Sequence, residues 1–282
     1  MYCYTVWSNS SGTNSKSAKE DADALAILKT QLKNGLGLFS CNNWGVFSDI
    51  DVELSPGPPV RLVATTVTAR AEYGKYFRKD KPSMKVNTPL FMAVWQYMKS
   101  KQPYAPFSWV IKVDAPTVFL PETLRTKLQG TSVPTAGLYI ENCVGVLEGY
   151  FGNLEIASTV AFNRFMEQLE KLYGTEGMDN KEAGSCWRQL DEKCTRDWKY
   201  GTWGEDRFLQ DGMDKAGVEK ITDFLIANSG TCPGNRPADQ LNNADFVPEC
   251  KSGDKTAAAV HPFRTPEEWF KCMGTITGKT YS

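Results

Sequence analysis

The run Ser108-Trp-Val-Ile-Lys-Val-Asp114-Ala-Pro116-Thr-Val-Phe-Leu-Pro121 constrains this 282-residue chain more than any other stretch. Its β-branched and aromatic residues predict a strand covered on both faces, at the centre of a sheet. Asp114 stands where that strand stops, and Pro121-Glu-Thr-Leu-Arg-Thr-Lys-Leu128 reads as the helix that follows. An acid in that place sits at the carboxyl end of a strand, where open α/β sheets hold their ligands. An Asp at a strand end is also an ordinary turn residue. The rest of the chain has to decide between the two.

The elements on either side alternate between strand and helix. Met1-Tyr-Cys-Tyr-Thr-Val-Trp7 reads as a strand, and Ser17-Ala-Lys-Glu20 as a capping box for a helix with Leu25, Leu28 and Leu32 on one stripe. Gly35 suits the end of that helix, and Leu36–Cys41 is expected to be a short strand. Val60–Val67 is another expected strand. Thr88-Pro89 opens a helix whose stripe is Leu90, Phe91, Val94, Trp95 and Met98. Gly137–Ile140 is a strand, Ser158 caps a helix carrying Phe162, Phe165, Met166 and Leu169, and Thr265-Pro-Glu-Glu268 caps a last short helix. Strands alternating with helices mean an α/β sheet.

Charge excludes some partners. Lys and Arg number 32 against 33 Asp and Glu, a net charge of −1, so no basic field draws nucleic acid or an anionic membrane. No apolar run reaches the ~20 residues of a membrane helix, and Met1-Tyr-Cys-Tyr lacks the basic-then-apolar order of a leader. The eight cysteines are an even number, spread along the chain, with no Cys-x-x-Cys pair and a single histidine. That pattern favours disulfides in an oxidising compartment over a zinc site, though buried thiols give the same count. The expected pairs are Cys3–Cys41, Cys186–Cys194 and Cys232–Cys250. Asn9-Ser10-Ser11 is a glycosylation acceptor sequence and agrees with a secretory route.

Three features stand apart from core building: Asp114, the adjacent acids of Gly204-Glu205-Asp206 at a helix start, and His261-Pro262-Phe263 with the single histidine. Each has a plain structural explanation, as a turn, a helix-dipole complement and a packed ring. In their order along the chain they resemble the Fringe-like, β-1,3-galactosyltransferase-like glycosyltransferases. Trp109-Val-Ile-Lys-Val-Asp-Ala-Pro-Thr117 resembles that family's Trp-Val-x-Lys-x-Asp-x-Asp-Thr strand, and Leu124-Arg125 its following helix. Glu148-Gly-Tyr-Phe-Gly-Asn-Leu-Glu155 is similar to its small-residue turn. The resemblance runs over about residues 85 to 265.

The resemblance implies a GT-A type, Rossmann-like mixed β-sheet flanked by helices, with a disulfide-tied C-terminal acceptor half. It implies one catalytic domain over 1–282, with residues 1–130 holding the nucleotide-sugar and 131–282 the acceptor and catalytic groups. The implied reaction is inverting transfer of a sugar from a nucleotide-sugar, a UDP-sugar foremost, to a hydroxyl of a glycan or glycoprotein. Asp206, with Glu205 next, is the implied base, and Trp198 and Trp203 are candidate sugar platforms. Lys85, Thr88, Lys112 and Asp114 are the implied nucleotide contacts, and Asp114 and His261 the implied ligands of manganese or magnesium. The implied compartment is the Golgi or ER lumen, or outside the cell. One position departs from the family: Pro116 stands where the second Asp of the motif belongs. Proline cannot coordinate a metal, so a metal-free enzyme and a binding-only protein of the same fold stay open as alternatives. A glycosidase using Glu205 and Asp206 is disfavoured, since adjacent residues at a helix start point different ways.

Overall fold

A computed structural model describes residues 1–9, 15–55, 62–67, 72–73, 85–86, 88–143, 152–173, 205–229, 232, 249–253 and 256–281. Its elements in chain order begin with β1 (Tyr2–Trp7), α1 (Ser15–Asn34), a 3-10 turn (Gly37–Ser40) and β2 (Asn43–Ser48). Short strands follow: β3 (Glu53–Ser55), β4 (Leu62–Val63), β5 (Thr65–Thr66), β6 (Glu72–Tyr73) and β7 (Lys85–Val86). Then come α2 (Thr88–Lys101), β8 (Trp109–Val113), β9 (Val118–Phe119), α3 (Pro121–Leu128), β10 (Leu138–Glu141), β11 (Leu154–Ser158) and α4 (Thr159–Tyr173). The last described elements are α5 (Glu205–Lys215), β12 (Glu219–Thr222), β13 (Ala227–Ser229), β14 (Ala259–His261) and α6 (Pro266–Thr277).

The main sheet has seven strands in the order β12-β10-β11-β8-β1-β2-β5, so β8 is its middle strand, and every residue of β8 is buried. From β8 through β1 and β2 to β5 the pairing is parallel, while β11 is antiparallel to both β8 and β10. The chain leaves β1 towards β2 on one side and returns to β8 on the other. Strand order therefore reverses between β1 and β8, and the carboxyl ends of these two strands are where open α/β sheets bind their ligands. This is a mixed α/β sheet flanked by helices, as the alternating pattern predicted.

Alternation along β8 divides its side chains between two cores. Ile111 and Val113 face α1 and α3 with Cys3, Leu28, Leu124 and Leu154. Val110 faces α2, α4 and α5 with Tyr4, Trp95, Phe165 and Phe208. Lys112 points to that second side too, over the Phe91 ring at 5.1 Å. The Trp95 ring stacks on Phe208 at 5.8 Å and meets Phe165 edge-on at 4.9 Å, which fixes α5 against α2 and α4.

Several boundaries differ from the sequence reading. Leu36–Cys41 is not a strand. Gly35 and Gly37 adopt φ of 62° and 54°, a turn conformation that closes a 3-10 helix, and the strand starts only at Asn43. In place of the expected Val60–Val67 strand, the described residues 62–67 hold two short pieces, because Leu62–Val63 pairs antiparallel with β3 while Thr65–Thr66 pairs with β2 in the main sheet. Helix α1 begins at Ser15, before the expected cap at Ser17. β9 lies between Asp114 and α3, a strand the sequence reading did not name, and Leu154 and Glu155 belong to a strand rather than a turn. Ser158 does cap α4, its Oγ accepting from Ala161 N at 3.2 Å and also from Leu138 N at 2.9 Å. Thr265 caps α6 through Glu268 N at 3.2 Å.

Three disulfides join described residues: Cys3–Cys41, Cys143–Cys232 and Cys250–Cys272. The first was expected. The expected Cys232–Cys250 pair is replaced by two others: Cys143, two residues past β10, bonds Cys232, three residues past β13. Cys250 instead meets Cys272 on the buried face of α6. Cys186 and Cys194 lie outside the described residues, as do Trp198, Trp203 and the Glu148–Phe151 part of the expected turn. No helix among the described residues is long and apolar enough to cross a membrane.

Candidate functional site

Asp114 is the first residue past β8, and its turn is held from every side. Asp114 N donates to Asn153 O at 3.2 Å, and Thr117 N closes the turn onto Asp114 O at 3.1 Å. Gln31 Nε2 donates to Ala115 O at 3.0 Å, Phe263 N to Pro116 O at 3.0 Å, and Trp269 Nε1 to Thr117 O at 2.8 Å. Pro116 costs nothing here as a donor, since the turn asks only for its carbonyl.

Lys112, two residues earlier on the same side of β8, is the hub of the site. Its side chain is 1% exposed, and Nζ lies 2.7 Å from Asp114 Oδ1, 2.6 Å from Glu205 Oε1 and 2.6 Å from Gly152 O. Gly152 is packed so closely that an added Cβ would meet Glu205 Oε1 at 3.3 Å and Nζ at 3.4 Å. Burial opposes the charge on Lys112, but Asp114, Glu155 and Glu205 outweigh it and hold the ammonium well above its ordinary range.

Glu205 and Asp206 open α5, which its buried Phe208, Leu209 and Met213 dock on the core. Asp206 Oδ1 accepts from Arg207 N at 2.7 Å. A helix start on its own favours the ionised form of such an acid. Instead burial, then the Glu205 carboxylate, raise Asp206 to about 6. Desolvation and a like charge beat the helix dipole, whose effect is modest.

His261 ends β14, which pairs antiparallel with β9, while Phe263 is tied to Pro116. Its Nδ1 is buried without a hydrogen-bond partner among the described residues. Burial, then the charge on Lys112, lower it to about 3, so the ring is neutral. The strand end and the acidic helix start thus meet at one ammonium, whose charge also acts on His261. Of the other expected contacts, Thr88 opens α2 with its hydroxyl buried and without a partner among the described residues, so no cap bond forms. Lys85 lies in the short β7.

A divalent cation does not fit what is on view. Asp114 shares its carboxylate with an ammonium, Pro116 has no donor, and the described residues contain no group of three His, Cys, Asp or Glu arranged to hold a metal. The sequence reading placed Gly152, Asn153 and Glu155 in the Glu148–Glu155 turn and gave none of them a role of its own. The signal for Glu155 was present: a lone acid in the apolar run Leu154-Glu-Ile-Ala157, which as a strand must bury every side chain.

No protein-family model matches the chain, and no curated protein does. Among the solved structures that match, two that align along nearly its whole length are glycosyltransferases. One is involved in glycosylation of the major capsid of PBCV-1, with 10% identity, 96% of this chain and 98% of that chain covered, and a TM-score of 0.38. The other is the galactosyltransferase LgtC with donor and acceptor sugar analogues, with 9% identity, 98% and 96% covered, and a TM-score of 0.41. At these values the likeness carries no information on substrate or mechanism.

Proposed function

We propose that this protein transfers a sugar, with inversion, from a nucleotide-sugar such as a UDP-sugar to a hydroxyl of a glycan or glycoprotein. The observation that carries this reading is the convergence of Asp114, Glu205 and Asp206 on Lys112 at the carboxyl end of β8, beside the reversal in strand order. Asp206 is the base. Above pH of about 6 it is ionised, and it takes the proton of the acceptor hydroxyl as the oxygen attacks the sugar carbon. The nucleoside diphosphate leaves from the opposite side.

Glu205 is the poorer base, because its Oε1 is engaged by Lys112 at 2.6 Å. Its work is to anchor the start of α5, and so to place Asp206. Residues 1–130 form the donor half on this reading and 131–282 the acceptor half. The three disulfides among the described residues suit an oxidising compartment, the Golgi or ER lumen or the exterior. No step runs through a metal.

Binding without transfer is the second reading, and one observation favours it. All three protons of the Lys112 ammonium are met by protein oxygens, so it has none left for a diphosphate. Incubation with a panel of nucleotide-sugars and glycan acceptors, with detection of free nucleoside diphosphate, separates the two. Release with one donor establishes the transferase. Retained glycan or nucleotide binding without release with any donor establishes the binder.

A further inference from the structure

Glu155 has no part in the chemistry above. It lies on β11 directly across from Lys112, and Tyr4 lies across from Lys112 on the other side, from β1. The three form one row on one face of the sheet. Glu155 is 2% exposed, and neither carboxyl oxygen has a hydrogen-bond partner among the described residues. Its nearest cation is Lys112 Nζ, 3.5 Å from Oε1, beyond hydrogen-bond reach.

Proton counting explains that distance. An ammonium has three protons to give. Those of Lys112 go to Gly152 O, Glu205 Oε1 and Asp114 Oδ1, all within 2.7 Å. Glu155 is a fourth acceptor for three donors. A carboxylate removed from water with no hydrogen bond is far more costly than the neutral acid. The acids that face it add to the cost: Asp114 just past β8, and Glu205 and Asp206 on α5, with Lys112 the one cation among these groups, while the Tyr4 hydroxyl on β1 stays neutral.

We propose that Glu155 is the proton-bearing member of this cluster and a positioning residue, which by staying uncharged leaves Lys112 to Asp114 and Glu205. Burial raises its pKa well above the ordinary carboxyl range, and the three acids add to this against the pull of Lys112. Were Glu155 ionised, it would compete for Nζ, loosen Glu205, and shift the helix start that carries Asp206. The sign for stability follows. An acid raised in the folded state contributes stability that is complete below its ordinary pKa and is lost as pH rises through the folded value.

Two measurements on the whole protein test this. With glutamate carboxyls labelled with carbon-13, NMR at pH 7 should show one carboxyl at the chemical shift of a neutral acid. Every glutamate at the carboxylate shift overturns the proposal. The second uses Glu155→Gln, which keeps the shape and cannot ionise. Its thermal midpoint should match the parent at acidic pH and lose less as pH rises. A loss at every pH, as for a broken ion pair, overturns the proposal. If Glu155→Gln does not fold, the NMR measurement decides. The positioning role rests on Asp206 being the base. Its readout is an alkaline fall in turnover that moves to higher pH in Glu155→Gln, and an unmoved fall refutes it. Absence of turnover with every donor would sink the transferase reading and leave the charge assignment of Glu155 standing.

Discussion

Lys112 Nζ lies 2.6 Å from Glu205 Oε1, which joins the middle strand of the sheet to the start of a helix 93 residues later. Both groups are buried, so neither has water to fall back on. This contact sets the position of α5 relative to Asp114.

Lys112→Met should therefore strand the carboxylates of Asp114 and Glu205 together. Removing one partner of a buried charge pair costs about 3–5 kcal/mol. Urea unfolding should show a loss of that size, with an unchanged slope. A loss typical of a surface substitution would mean that the ammonium is not the hub.

Asp206→Asn should lower turnover by about 10²–10⁴, the range for loss of a general base. Binding of the nucleotide, measured by calorimetry, should persist. Full turnover in this variant would show that another group takes the proton.

Asp206 and His261 predict opposite pH slopes. Burial and then Glu205 raise Asp206 to about 6, so its contribution to stability is complete below the ordinary Asp value and lost as pH rises through about 6. Burial and then Lys112 lower His261 to about 3, so the unfolded chain protonates first and stability is lost as pH falls below the ordinary histidine value. Thermal midpoints across a pH series should show Asp206→Asn without the first slope and His261→Gln without the second. On the same titration, parent turnover should fall as pH drops through about 6, since His261 is already neutral there.

Gly152→Ala tests how tightly the rim is built. The new methyl would sit 3.3 Å from Glu205 Oε1 and 3.4 Å from Lys112 Nζ, both locked in the network. A destabilisation of about 1 kcal/mol, the low end for overpacking, is expected in urea unfolding. No change would mean that the network has slack.

The parts of the fold that could be read from sequence were those written in local patterns. The β8 strand shows as an apolar run, α4 and α6 show through Ser158 and Thr265, and α2 shows through its aromatic stripe. The 3-10 turn at Gly37–Ser40 did not, because two left-handed glycines and a disulfide at Cys41 decide it, not hydropathy. β9, at two residues, is too short to have a period. For the site, Asp114, Glu205, Asp206 and His261 were named in advance; Asp114 and Glu205 share one ammonium, whose charge also acts on Asp206 and His261. Their charge states were out of reach, since burial sets them. Lys112 was expected to meet a nucleotide. That its protons are spent on Asp114, Glu205 and Gly152 depends on β11 running beside β8, a long-range pairing that the sequence does not announce.

That pairing also decides how the rim can evolve. Because β11 runs against β8, Gly152 and Asn153 reach Lys112, Asp114 and Thr117 through main-chain carbonyls. A carbonyl is the same whatever the side chain, so point substitutions drifting through Asn153 would leave these contacts in place. The change the rim cannot absorb is an inserted or deleted residue, which would slide the register and carry the oxygens away.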